Sequence, residues 1–316
     1  MKTNFKKLML AGTAIVAVSA FGAQAYAADE FVVDTNASGT FTTAAPDETA
    51  DTAFDWGTNV NAITSQSKDV RVDATGAIDL VDGDIIGDGT GNAVIANTTG
   101  LTLTLQDAGG ADASAADTAT VAGNVSANGN AALNLAIAAN AGDTNGAFNV
   151  DVNGNVDLGT GTITVTSQDN GSNAALNVSG NITSGTITLT ENTSVSTLRL
   201  DGLSTAQTVT GAIAGTGAVV VQNAAGVTFN SAVVAETITI EDALTNNSSA
   251  TFKAAVTAAT TLGGTGTGTN TVTFDGTGAG FAVTGAIAGA AAGETNVINA
   301  IGGNTITLTG AGTTAN

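Results

Sequence analysis

Three aspartates in one short segment are the side chains best spaced to hold an ion. The run Asp79-Leu-Val-Asp82-Gly-Asp84-Ile-Ile-Gly-Asp88-Gly-Thr-Gly-Asn92 is the densest cluster of oxygen ligands in the chain. Carboxylates interleaved with turn carbonyls suit Ca²⁺, a hard cation that takes oxygen donors. Asp82, Asp84 and Asp88 are therefore the candidate metal ligands. The segment departs from the EF-hand pattern, since Ile86 stands where a third Asp or Asn belongs and Ala93 where the bidentate Glu belongs. The bland alternative is a set of acidic turns between strands.

Other chemistry has fewer residues to work with. The run Gly263-Gly-Thr-Gly-Thr-Gly268 could form a backbone anion nest, but no Lys follows it and no G-K-[ST] occurs in the chain. Glu236, Glu241 and Asp242 lie close enough in sequence to raise the paired-carboxylate chemistry of glycosidases. Aromatic platforms for sugars are scarce, however. After residue 27 there are no Cys, no His, no Tyr and one Trp, Trp56. Only four cationic side chains follow the same point, Lys68, Arg71, Arg199 and Lys253, against 27 acids, for a formal charge of −23. Arg199 and Lys253 stand alone, without the clustering an anion clamp or a lyase needs. This balance excludes nucleic acid as an expected partner, because a phosphate backbone is bound by Lys and Arg. It also disfavours anionic membranes and favours solubility and cation uptake. No cofactor is expected, Ca²⁺ excepted, and catalysis is not expected.

The first 27 residues read as a secretory signal peptide. Lys2, Lys6 and Lys7 form the positive region, Leu8 to Phe21 the apolar region, and Ala25-Tyr26-Ala27 the cleavage site. The apolar run of about 14 residues is short of the roughly 20 that a bilayer span needs. No second apolar stretch of spanning length follows, so no transmembrane segment is expected after cleavage. Cleavage leaves 289 of the 316 residues. Export would permit disulfides, but the chain has no cysteine. Backbone ladders and aliphatic stacking are what remains to hold a fold.

From about residue 76 to residue 316 the chain is a series of short strand patterns. Leu101 to Leu105, Ile163 to Val165, Ile187 to Leu189, Thr237 to Ile240 and Ile306 to Leu308 alternate apolar residues with Thr. Such alternation places aliphatics on one face and hydroxyls on the other. Gly, Asn, Asp and Ser clusters punctuate the runs. Residues 28–75, with Pro46 and Trp56, are less regular and are expected to form an N-terminal cap. An outer-membrane barrel is disfavoured, because it calls for longer strands and aromatic girdles.

Repetition is internal. Val209-Thr-Gly-Ala-Ile-Ala-Gly215 recurs as Val283-Thr-Gly-Ala-Ile-Ala-Gly289. Thr-Phe pairs end at Phe229, Phe252 and Phe274, spaced 23 and 22 residues apart. Gly-Asn followed by Val or Ile occurs at Gly123, Gly154 and Gly180. A coil of about 22 residues holds two or three short strands, and stacking such coils pairs every backbone group with its neighbours above and below. The expected fold is all-β, a right-handed parallel β-helix. Leu103, Ile163, Val165, Leu189, Phe229, Ile240, Phe252 and Phe274 are expected inside, with the three Phe forming a ladder and Asn residues another at the turns.

The phrases Gly211-Ala-Ile-Ala-Gly-Thr-Gly217, Val227-Thr-Phe-Asn-Ser-Ala-Val233 and Ala250-Thr-Phe-Lys-Ala-Ala-Val256 resemble repeats of bacterial autotransporter passengers of the rickettsial surface-antigen type. The composition is similar to that of surface-layer proteins. The resemblance covers roughly residues 120–316. It implies an exported β-helix at the bacterial cell surface or outside the cell, serving as coat or adhesin. It also implies a C-terminal barrel after the passenger, which these residues do not include. No catalytic residue is carried over. The alternatives are a Ca²⁺-dependent adhesive module and a carbohydrate-active β-helix enzyme. Expected partners are host or cell-surface glycans and the chain itself, associating end to end through the uncharged strand Asn304 to Thr309.

Overall fold

The computed structural model describes residues 30–33, 48–50, 53–55, 69–72, 75–87, 89, 91–96, 98–108, 116–129, 132–140, 146–169, 171–203, 205–241, 247–263, 268–289 and 295–309. The expected signal peptide, Pro46, Trp56, Lys68, Asp88 and Asp242 lie outside these residues. Among the described residues the protein is all-β, and every strand pairing is parallel.

A single coil shows the plan. Val156–Asp157, Thr162–Thr166 and Asn173–Val178 follow one another on three faces, and the next coil repeats them as Ile182–Thr183, Thr186–Thr190 and Ser196–Leu203. The two coils pair strand on strand: Val156 with Ile182, Ile163 with Ile187, Leu176 with Leu198. This is a parallel β-solenoid, as the alternation predicts. The first face alone is a 12-stranded ladder from Glu48–Ala50 to Thr295–Ile301.

Alternation decides what fills the interior. A strand turns successive side chains to opposite faces, so apolar residues two apart enter the same core. All eight residues expected inside, from Leu103 to Phe274, are buried. Phe229, Phe252 and Phe274 stack as one column, with ring centroids 4.8 Å and 5.9 Å apart. Successive coils set that spacing. Strands lie about 4.8 Å apart, so rings in register must stack face to face. The column continues below as Val209 and above as Ala300.

The coil length read from the Phe spacing holds where the Phe are. Partners from Phe229 to Phe252 to Phe274 are 23 and 22 residues apart. Elsewhere on the same face the offset varies, 31 from Val125 to Val156, 26 from Val156 to Ile182 and 20 from Val209 to Phe229. Strand register is fixed by the core, while extra residues are absorbed in the corners. The ladder also starts before residue 76: Asp69–Val72 pairs with Asn92–Ala96, and Glu30–Val33 pairs with Asp69–Val72.

Polar side chains are buried at the corners. Ser196 Oγ donates to the Thr190 carbonyl and accepts from the Ser167 amide at 2.9 Å. Gln207 Nε2 donates to the Val178 and Gly180 carbonyls at 2.7 and 2.8 Å. Its Oε1 accepts from Asn223 Nδ2, and the Asn223 amide donates to Ser248 Oγ. All but the Asn223–Gln207 bond satisfy a backbone group that the corner removes from the ladder.

Substitution at two adjacent residues tests this packing. Thr251 is half-exposed on the outer side of Ser248–Phe252, and Phe252 is buried beside it. Phe252→Asp removes the middle ring and places a charge in the core, a loss of about 3–5 kcal/mol or more. Thr251→Asp is expected to be mild. Melting temperatures of the two variants, followed by circular dichroism, check the face assignment. Equal losses would refute it.

Candidate functional site

Two of the three expected metal ligands accept backbone hydrogen bonds. Asp84 is buried, and its Oδ2 accepts from the Val81 amide at 3.0 Å. Asp82 is exposed, and its Oδ1 accepts from the Thr118 amide of the next coil at 3.2 Å. Asp88 lies outside the described residues. Among the described residues no three acidic, His or Cys side chains are grouped to hold a metal ion. Of the Gly-rich run, only Gly263 and Gly268 are described.

The carboxylates near residue 240 go to different partners. Glu241 accepts from Gln222 Nε2 at 2.6 Å and lies 3.6 Å from Arg199 Nη1. Arg199 is thus tied across the intervening coil rather than left alone. Glu236 lies before the other end of the segment Thr237 to Ile240 and meets Glu191 instead. Partial burial raises the Glu191 pKa above its ordinary 4.5, against the Ser196 amide, which bonds its Oε1 and lowers it; the hydrogen bond and charge of Glu236 add to the rise. Glu191 and Glu236 are 45 apart in sequence, and only the coil lengths between them bring them together.

A groove of about 310 Å³ lies on the outer side of the first face. Asn92, Asn124, Asn155 and Asn181 line one side, with Ser126, Asp157 and Thr183 along the strands. The Gly-Asn repeats seen in the sequence build it. Asn124 Nδ2 donates to Asn92 Oδ1 at 3.3 Å. The Asn155 amide donates to Asn124 Oδ1, the Asn181 amide to Asn155 Oδ1 and the Thr208 amide to Asn181 Oδ1, each at 2.8 Å. The preceding glycines let the turns close on one another. A Cβ on Gly154 would lie 2.6 Å from the Gly123 carbonyl, and one on Gly180 would lie 2.5 Å from the Gly154 oxygen. Each Asn therefore spends its oxygen on the coil above. The Nδ2 groups of Asn155 and Asn181 have no protein partner among the described residues, and Asp157, Ser126 and Thr183 add hydroxyl and carboxylate acceptors. The result is a row of donors and acceptors that repeats once per coil along the axis. Such a row matches a ligand that is itself polyhydroxylated and extended.

No family model matches the chain, and neither a curated protein nor a solved structure matches it.

Two measurements follow from this geometry. Gly154→Ala, which meets backbone, is expected to lower the melting temperature sharply. Gly278→Ala, where no atom lies within 4 Å of the new Cβ, should leave it within a degree or so of wild type. The acid pair gives a pH test. A carboxyl whose folded pKa is raised binds more protons folded than unfolded, so Glu191 costs stability as pH rises through and above 4.5. Glu191→Gln mimics the protonated form. It should raise the melting temperature at neutral pH and change it little at pH values below 4.5. An equal effect at both pH values would show that the pair carries no repulsion.

Proposed function

We propose that this chain is an exported structural β-solenoid of the cell surface, a coat or adhesin scaffold without catalytic activity. One observation carries the reading: the polar side chains of successive coils bond to one another and to the backbone of the next coil. Besides the Asn ladder, Thr162 donates to Asn134 Oδ1 at 3.1 Å and Asn134 Nδ2 to Thr102 at 3.4 Å. Asn177 donates to Asp151, and Ser179 to Asp201. Side chains held in this way stiffen a rod. Catalytic groups, by contrast, need a pocket and shifted protonation states held for a substrate. The signal sequence supports export, and the cysteine-free composition agrees with a stability drawn from ladders.

The groove favours a second, compatible reading, contact with a glycan. Its donors and acceptors suit hydroxyls, and the strong negative charge of the chain disfavours acidic sugars. Neither the Ca²⁺-dependent module nor the carbohydrate-active enzyme gains a specific observation of this kind.

Protease shaving of intact cells expressing the chain with its own leader tests the first reading. Fragments beginning near Ala28 should be released without lysis; protection until the envelope is opened would place the chain inside it. Titration with neutral and acidic oligosaccharides, watched by amide NMR, tests the second. Shifts confined to Asn124, Asn155 and Asn181 with neutral sugars are expected. Uniform silence would remove the groove as a glycan site and leave the scaffold reading intact.

A further inference from the structure

The asparagine ladder continues beyond the groove it lines. The Thr208 amide donates to Asn181 Oδ1, and from Thr208 onward the same outer column is built of threonine. Thr208 pairs with Thr228, Thr228 with Thr251 and Thr251 with Thr273, each in register. The residue after each, Val209, Phe229, Phe252 or Phe274, is buried in the core, so the threonines stand on the outer side. One polar column therefore runs up the first face, with asparagine in the groove and threonine after it. The hydroxyls of Thr208 and Thr228 have no protein partner among the described residues.

Two directions are open to a chain bound here. Across the axis, the strands at the groove are two residues long, Val156–Asp157 and Ile182–Thr183, and each turns a single side chain outward. Along the axis, an outward Asn or Thr recurs in every coil, about 4.8 Å from the last. Among the described residues no aromatic ring lines the groove. Binding must then be summed from hydrogen bonds exposed to water, each of small net worth. Only the axial direction supplies enough of them.

We propose, resting on the reading of the groove as a glycan site, that the groove is one end of an axial track, whose ligand is a neutral, unbranched glycan lying parallel to the rod, from Asn124 past Asn181 onto Thr208 and Thr228. Asparagine amides donate to the sugar hydroxyls in the groove. Threonine hydroxyls, which both donate and accept, continue the row. Thr183, Thr210 and Asn230, each two residues after a member of the column, carry no charge, so this stretch offers an ionised sugar no counter-charge. Each further coil covered adds hydrogen bonds without a second loss of translational freedom, so affinity climbs with ligand length.

Calorimetry and amide NMR of the chain from Ala28 to Asn316 with β-linked gluco-oligosaccharides, taken as a length series from the disaccharide upward, test the proposal. Short members should shift Asn124, Asn155 and Asn181 alone. Longer members should shift Thr208 and then Thr228, with affinity rising by about twofold to tenfold for each further coil reached. The double variant Thr208→Val, Thr228→Val keeps two β-branched side chains on the strands and removes both hydroxyls. It should abolish the gain from length and leave the affinity for short members and the β-sheet spectrum unchanged. Affinity that ignores length, a gain that survives the double variant, or shifts that spread round one coil to Thr162 and Thr186 would overturn the axial track and keep the groove as a glycan site. Silence with every member of the series would overturn both.

Discussion

The constraint on which the structure rests is in-register parallel pairing of each coil with the next. A parallel ladder places equivalent residues directly above one another, about 4.8 Å apart. Every column is then a stack of like environments, and a residue that suits one coil must suit its neighbours. Inside, this gives the Phe229–Phe252–Phe274 stack and long columns of Val, Ile and Leu. At corners it gives Ser, Asn and Gln that bond the backbone of the adjoining coil. The fold needs no disulfide, because each coil is held through its backbone by two others.

Variation is confined to what the ladder leaves free. Coil length varies, 20 residues from Val209 to Phe229 against 31 from Val125 to Val156, while the paired strands keep register. The added residues fall between strands, where they cost little more than loop closure. The groove is a product of the same rule. Gly123, Gly154 and Gly180 occupy equivalent corners and admit only hydrogen at Cα, so that each following Asn can reach the amide of the next coil.

What could be read from the sequence follows from this division. Alternation is local, so the inward set from Leu103 to Phe274 was legible from strand patterns alone. The Phe spacing was legible because no insertion interrupts those coils, and it does not extend to the coils around Val125, where corners are longer. The Gly-Asn ladder was visible as a motif with uneven spacing; the unevenness is corner length, and the motif marks one corner throughout. Glu191 and Glu236 were not legible as a pair. Their meeting depends on the summed length of two coils, which no local pattern encodes. For Asp82 and Asp84 the spacing was legible but their backbone partners were not. Carboxylates two residues apart in a turn serve backbone amides as readily as they serve a cation, and here they accept from Val81 and Thr118.

The ladder also governs where charge is tolerated. Like charges directly opposite in neighbouring strands repel. Along most of the rod an acid is stacked between polar neutral residues: Asp157 between Ser126 and Thr183, Asp151 between Thr120 and Asn177. Near the N-terminal end the pattern breaks, and register sets Glu30 opposite Asp69 and Asp55 opposite Asp79. Past residue 294 no charge remains. Register therefore places acid opposite acid near the N-terminal end and acid between neutral residues further along the ladder, so the tolerance for charge is set coil by coil by what stands in the neighbouring strand.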